Sequence, residues 1–127
     1  MNDDRKLSAW AIITNSNDKF LLLKRGAKSN NPNLWNFPGG TVDEGEEPLK
    51  SATRELYEEA GITTRNLVFK RVILQPNVKI FFYSRKITNP NIKVKINNES
   101  SKYGWFDLDE IKKLKLHKPT QFYINTL

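Results

Sequence analysis

The sequence contains no cysteine, and only one histidine and one methionine among its 127 residues. Without cysteine, a disulfide framework, a thiolate zinc site and a cysteine nucleophile are all excluded. The first ten residues, MNDDRKLSAW, have no apolar signal core, and no apolar run approaches the ~20 residues that a membrane helix needs. We therefore expect a soluble, cytoplasmic protein that contacts no membrane.

The remaining composition is that of a globular chain. Hydrophobic residues make up 38% of the sequence and include three Trp, four Tyr and seven Phe. This content separates the chain from disordered proteins, and its length suffices for a hydrophobic core without metal or disulfide support. We expect a single domain that spans residues 1–127.

Charge is distributed unevenly along the chain. Residues 1–62 carry 8 Lys and Arg against 10 Asp and Glu, whereas residues 63–127 carry 13 against 4. An acidic site beside a basic half suits a metal ion together with a polyphosphate, because each needs the opposite sign. The alternative interpretation is a lysine-rich coding bias. The basic charge alone does not establish nucleic-acid binding, because no recognition helix, RNA-binding motif or zinc finger is visible.

Apolar periodicity and turn residues predict a mixed α/β domain. The predicted strands cover residues 7–14, 20–24, 35–37, 67–74, 78–87 and 104–106. The first two form a hairpin, residues 26–34 form a polar loop, and residues 88–102 form a long loop or an irregular edge strand. Helices are predicted over 48–60, from 108 and after 119, with Asp107 and Glu110 at the spacing of a capping box. Strands flanked by helices indicate an α/β sandwich.

The helix at 48–60 has clear ends and a clear apolar side. Pro48 suits the first turn, and Gly61 suits the position just past the last turn. The predicted packing stripe consists of Leu49, Ala52, Leu56 and Ala60.

Three carboxylates lie beside that stripe. Glu55, Glu58 and Glu59 stand at i, i+3 and i+4, so they share one helix face, and Arg54 lies next to them. Oxygen ligands without His or Cys suit Mg²⁺ or Mn²⁺ rather than zinc. The alternative is a solvated charged face that is stabilised by ordinary i,i+4 pairs.

The wider spacing around this cluster resembles a known signature. Gly40, Glu46 and the run Arg54-Glu55-Leu56-Tyr57-Glu58-Glu59-Ala60-Gly61-Ile62 resemble the complete Nudix box. The approach Trp35-Asn36-Phe37-Pro38-Gly39-Gly40 and the later Trp105-Phe106-Asp107-Leu108 are also similar to the family. The resemblance implies a Nudix-type α/β/α sandwich with a mixed central sheet. It also implies a MutT-like hydrolase that cleaves a pyrophosphate bond with Mg²⁺ or Mn²⁺.

The resemblance also implies roles for individual residues. Glu55, Glu58 and Glu59 match the metal-binding glutamates, and Glu55 or Glu58 also takes the proton from the attacking water. Arg54 orients a glutamate, and Glu46 is its structural partner. The candidate metal ligands are therefore Gly39 (through its backbone carbonyl), Glu55, Glu58 and Glu59. By analogy with an extra loop glutamate of several members, Glu99 binds the metal or serves as the base.

Candidate substrate contacts lie before the box. Lys24 and Arg25, at the end of the second strand, are expected to meet substrate phosphates, and Trp35 or Phe37 to stack on a base. His117 is expected to be packed or solvated rather than functional.

The expected partner is a nucleotide, either a nucleoside triphosphate or a related nucleoside diphosphate derivative. One alternative is hydrolysis of RNA 5′ ends or of dinucleoside polyphosphates, which the basic second half favours. The other is a non-catalytic nucleotide-sensing domain. Both a monomer and a homodimer are compatible with the sequence.

Overall fold

The computed structural model describes residues 3–127. Its strands are β1 (Lys6–Thr14), β2 (Phe20–Arg25), β3 (Trp35–Asn36), β4 (Gly39–Thr41), β5 (Val68–Leu74), β6 (Val78–Lys86) and β7 (Ser100–Phe106). Its helices are α1 (Pro48–Ala60), α2 (Leu108–Ile111) and α3 (Lys118–Ile124).

One mixed sheet contains these strands. The order along its main path is β3-β2-β1-β6-β5, with β4 paired to β1 and β7 paired to β2. β1 and β6 run parallel, whereas the other pairings are antiparallel. The predicted hairpin of β1 and β2 is present, but the two strands pair only beside the turn, at Thr14 and Phe20. They diverge beyond it, and β4 pairs with β1 along the part of that strand that β2 leaves free.

Alternating residues of β1 build a core on each face of the sheet. Ala9, Ala11 and Ile13 face α1, whereas Trp10 and Ile12 contribute to a separate core on the opposite face. That opposite core includes residues of α2 and α3, so helices cover both faces. The predicted α/β/α sandwich is confirmed.

The bounds of α1 agree with the prediction, and its buried side differs from it. Gly61 ends the helix with φ 69° and donates its N–H to the Tyr57 carbonyl at 2.9 Å. Leu49 was expected to pack on the sheet, but it is 42% exposed because it lies in the first turn beside a surface cavity. Glu59, by contrast, lies on the buried side of the helix with Leu56.

One stretch of strand was not predicted, and another was left open between a loop and an irregular edge strand. β4 falls on the glycine pair, which was expected to end a strand, and β7 begins at Ser100 rather than Gly104. Both form because a neighbour supplies hydrogen bonds: β4 pairs with β1, and β7 pairs with β2 along its length. The predicted capping box of Asp107 and Glu110 is present, although it opens a helix of only four residues.

None of the helices in the described part of the chain has the length and apolar character needed to cross a membrane.

Candidate active site and metal centre

Arg54 is the centre of the acidic cluster. Its Nε and Nη2 donate to the Glu46 carboxylate at 2.9 and 3.0 Å, and its Nη1 donates to Glu55 and Glu58, both at 3.0 Å. Asp43 lies 3.4 Å from Nη2. The hydrogen bonds with Glu46 raise the pKa of Arg54 and lower the pKa of Glu46. Arg54 therefore pairs at the same time with Glu58, one turn along the helix, and with Glu46 and Asp43 of the preceding loop.

Glu59 occupies the most buried position of the cluster. Glu59 is only 6% exposed, and its Oε2 accepts a hydrogen bond from the Gly39 N–H at 3.2 Å. Burial raises the pKa of Glu59 well above its ordinary value, and the neighbouring Glu55 carboxyl raises it further. A buried acid with another acid beside it favours a proton or a cation at this point.

Glu55 lies against the backbone of β4. A Cβ atom on Gly40 would be 3.6 Å from the Glu55 carboxyl carbon, so this carboxyl group borders the strand directly. Gly39, the preceding residue of β4, contacts the Glu59 carboxyl group through its N–H. The glycine strand thus runs beside two carboxyl groups that are one helical turn apart.

The three glutamates are not gathered at one point. Within residues 3–127, no three acidic or histidine side chains form a preassembled metal-binding group. All three glutamates lie on α1 at the predicted spacing, but their side chains differ in exposure and in partner. Glu55 and Glu58 are drawn to the Arg54 guanidinium, whereas Glu59 turns inward to Gly39.

A cavity of about 690 Å³ opens beside Glu59. Its lining comprises Arg25, Gly26, Ala27, Lys28, Ser29, Asn36, Glu59, Asn98, Glu99 and Ser100. The cavity therefore joins the end of β2, the following loop, the C-terminal part of α1 and the start of β7. Acidic and basic side chains meet in it, and its volume is in the range of small-molecule sites.

Backbone contacts hold Glu99 at this cavity. The Gly26 N–H donates to the Glu99 carbonyl at 2.9 Å, and the Glu99 N–H donates to the Asn97 side chain at 3.0 Å. The loop that follows β2 also lines the cavity, and it is held by Arg25, whose Nε donates to the Asn30 carbonyl at 2.7 Å. The structure thus brings Glu99 to the same cavity as Glu59, as the sequence led us to expect.

The three predicted substrate contacts are placed differently. Arg25 lines the cavity, whereas Lys24 is not among the residues that line it. Trp35 is 9% exposed and packs edge-on against Phe106 with ring centroids 5.0 Å apart, and Phe37 is fully buried in the same core. The expectation that Trp35 or Phe37 stacks on a base is wrong for this conformation, because both rings are used for packing.

Asn36 is a cavity residue that the sequence analysis did not select. It is 3% exposed, and its Nδ2 donates to the Phe37 carbonyl at 2.9 Å. The sequence did contain a signal for Asn36, because it is a polar residue between two aromatic residues of a short strand. Side chains alternate along a strand, so Asn36 lies on the face of the sheet opposite to Trp35 and Phe37.

His117 lies outside this group of acids. Its ring packs edge-on against Trp10 with ring centroids 5.8 Å apart. Burial lowers the pKa of His117 to about 4, and the positive charge of Arg25 lowers it by a smaller amount.

A protein-family model gives the decisive comparison. The NUDIX domain model matches residues 4–125, which is nearly the whole chain. The chain belongs to the NUDIX domain family. The resemblance noted in the sequence is thereby confirmed.

The relatives within this family include proteins with different activities. An 8-oxo-dGTP diphosphatase of Buchnera aphidicola is 34% identical over 116 residues, which cover 91% of this chain and 88% of that protein. The mRNA-decapping enzyme subunit 2 of Saccharomyces cerevisiae is 30% identical over 119 residues, which cover 90% of this chain. This chain spans only 12% of the length of that yeast protein.

The fold is shared with a solved structure at similar length. The MutT protein of Methanosarcina mazei superimposes with a TM-score of 0.78 and 25% identity, covering 99% of this chain and 94% of that one.

Proposed function

We propose that this Nudix domain is a hydrolase that cleaves a pyrophosphate bond in a nucleoside triphosphate or a related nucleoside diphosphate derivative, with Mg²⁺ or Mn²⁺. The observation that carries the proposal is the composition of the large cavity. Glu59 and Glu99 line it together with Arg25 and Lys28. Carboxylates for a cation and cations for phosphates are what a metal–polyphosphate complex requires.

The donor atoms fit a hard divalent cation. The candidate ligands are all oxygens, and Glu59 is a buried acid with no ion pair among the described residues. The residues that would hold the metal are Glu55, Glu58, Glu59, Glu99 and the Gly39 carbonyl. When bound, the metal would neutralise phosphate charge and lower the pKa of a bound water.

The side chains of the chain itself then have separate tasks. Glu55 or Glu58 accepts the proton of the attacking water, whose oxygen bonds to phosphorus as the anhydride P–O bond breaks. Arg54 orients these two carboxylates, since its Nη1 contacts both at 3.0 Å. Arg25 and Lys28, which line the same cavity, bind the phosphates.

Glu58→Gln tests the catalytic assignment. We expect phosphate or pyrophosphate release in Mg²⁺ to fall roughly 100-fold or more, which is the usual contribution of a positioned acid or base. Asp109→Asn is the matched control, because it removes an exposed acid in α2 and should leave the rate unchanged. Unchanged turnover in Glu58→Gln would contradict the assignment.

A substrate screen should accompany this variant. It includes nucleoside triphosphates, ADP-ribose, dinucleoside polyphosphates, and capped and triphosphorylated RNA. Nucleotide binding without turnover of any of these would favour the non-catalytic sensing domain instead.

Hydrolysis of RNA 5′ ends or of dinucleoside polyphosphates is the second candidate. It is supported by the 13 Lys and Arg against 4 Asp and Glu in residues 63–127, since longer polyanions engage more cations. The name of the yeast decapping relative points the same way. A steep fall of kcat/KM with salt for RNA, but not for free nucleotides, would favour this candidate.

A further inference from the structure

The outer edge of β5 has no partner strand within residues 3–127. β5 is the last strand on the main path of the sheet, and β6 pairs with its inner edge only. Four of its apolar residues are well exposed: Val68 at 60%, Phe69 at 55%, Val72 at 38% and Leu74 at 56%. A long exposed edge with apolar side chains readily accepts another strand.

Three of these apolar side chains share the α1 face of the sheet. Phe69 lies opposite Tyr83, with ring centroids 5.9 Å apart, and Val72 lies opposite Phe81. Tyr83 and Phe81 both belong to the core on the α1 side. Because directly opposed residues share a face and alternate residues repeat it, Leu74 continues the row.

The charged side chains of β5 lie on the other face. Lys70 lines a cavity of about 350 Å³ together with Tyr123 of α3. Arg71 lies opposite Phe82, whose ring packs against Tyr123 at 5.0 Å. The two faces of the free edge therefore differ: one carries Phe69, Val72 and Leu74, whereas the other carries Lys70 and Arg71 between the apolar residues Val68 and Ile73.

The sequence around β5 contains cations and no acids, and the acids that pair with Lys79 and Lys86 are Asp3 and Asp18, from the N-terminal part of the chain. Residues 60–98 contain no Asp or Glu, and their cations are Arg65, Lys70, Arg71, Lys79, Arg85, Lys86, Lys93 and Lys95. Neither Lys70 nor Arg71 forms an ion pair in the described part of the chain.

We propose that the β5 edge binds an extended segment of another protein in which apolar residues alternate with acidic ones. Such a segment adds as a further strand, so its backbone pairs with the free N–H and C=O groups of β5. Its side chains alternate with a period of two. A β-bulge between Phe69 and Arg71 places Lys70 and Arg71 side by side on the other face. Apolar residues of the segment therefore meet Phe69, Val72 and Leu74, and the acid between the first two meets Lys70 and Arg71 together. This site is independent of the proposed hydrolase activity.

Charge and shape disfavour the other occupants. A second copy paired through β5 about a two-fold axis would bring the Lys70 and Arg71 side chains of both chains together on one face, and like charges at that distance repel. A nucleic acid would satisfy the cations, but it would leave the apolar row and the free backbone edge unused.

Synthetic peptides test the proposal on the intact protein. The probe is Glu-Val-Glu-Val-Glu-Val-Glu, and its control, Glu-Glu-Val-Val-Val-Glu-Glu, has the same composition without alternation. We expect the probe to shift the amide NMR signals of Val68–Leu74 and to bind at least fivefold more tightly than its control. A third peptide, with Lys in place of each Glu, should not bind.

Charge reversal on β5 tests the contact itself. Arg71→Glu should weaken the probe peptide roughly fivefold, because a favourable surface ion pair becomes repulsive. Lys112→Glu, at the exposed end of α2, is the matched control and should have no effect. Thermal unfolding verifies that both variants fold.

Four outcomes would overturn the proposal. They are no shift at millimolar peptide, equal binding of the two isomeric peptides, displacement of the probe by oligothymidylate, and concentration-dependent dimerisation that Val72→Glu abolishes. Any of the first three outcomes would show that β5 does not recognise an alternating apolar and acidic segment. The last outcome would show that the edge binds a second copy of the chain.

Discussion

Replacing Gly39 by alanine should strongly destabilise the protein, for two separable reasons. The residue has φ 152°, a conformation that L side chains rarely adopt. An added Cβ would also overlap the Ala9 carbonyl oxygen and come within 2.7 Å of Trp10, in the central strand β1. The backbone conformation costs about 1–3 kcal/mol and the overpacking about 1–3 kcal/mol, so the free energy of unfolding should fall by about 2–6 kcal/mol.

Two other glycines separate these contributions. Gly45 has φ 81° but no atom within 4 Å of an added Cβ, so Gly45→Ala should cost about 1–2 kcal/mol from backbone strain alone. Gly40 has neither problem, because its nearest contact would be Glu55 at 3.6 Å. Gly40→Ala should therefore change the free energy of unfolding by less than about 1 kcal/mol.

Urea unfolding followed by circular dichroism measures all three variants. The midpoints should fall in the order Gly40→Ala, Gly45→Ala, Gly39→Ala, with unchanged slopes for the variants that fold. If Gly39→Ala were no worse than Gly45→Ala, the close packing of β4 on β1 would not be what requires glycine. That result would refute the steric part of the reasoning.

Four further variants test the site and the buried histidine outside it. Arg54→Lys should reduce kcat/KM roughly tenfold or more, because one ammonium group cannot reproduce the forked contacts of a guanidinium. Gly26→Val should lower kcat while the fold persists, because a Cβ there already lies 3.2 Å from the Glu99 carbonyl oxygen and a branched side chain would displace Glu99. His117→Gln should flatten the pH dependence of stability between about pH 6.5 and about 4, since a lowered folded-state pKa makes protonation in this range favour unfolding. Glu59→Gln should raise the melting temperature of the metal-free protein at pH 8 while weakening Mg²⁺ binding, as measured by calorimetry. Because the pKa of Glu59 is higher in the folded than in the unfolded protein, the free energy of unfolding falls as the pH rises from the ordinary glutamate pKa toward the folded-state pKa.

The parts of the fold with strong local signals were predictable from the sequence. α1 was predicted at its observed bounds because Pro48 and Gly61 mark its ends and aliphatic residues recur at helical spacing. Asp107 and Glu110 likewise marked the start of α2. In each case, the residues that determine the structure are neighbours in the chain.

The parts that depend on distant partners were not predictable. Gly39 and Gly40 carry no side-chain alternation, so nothing local indicates that they pair with Ala9 and Trp10. Similarly, Ser100 and its polar successors lie in a stretch that the sequence left open between a loop and an irregular edge strand, and they pair with Lys24 and Arg25 of β2. The burial of Trp35 and Phe37 also depends on distant partners, since Trp35 packs on Phe106 of β7 and Phe37 on Tyr123 of α3.

The position of Glu59 shows why the site is more informative than the motif. Helical spacing places Glu55 and Glu59 on nearly the same face, yet only Glu59 is turned into the interior, where Gly39 offers a single N–H. Burying an acid with one neutral hydrogen-bond donor and another acid beside it is costly, and a stable fold without a function would replace it by an apolar residue. Arg54 does not reach it, because its Nη1 is already shared by Glu55 and Glu58. The unfavourable arrangement is explained if the missing positive charge is supplied from the cavity side, where Glu99 adds a second acid and Arg25 a cationic side chain.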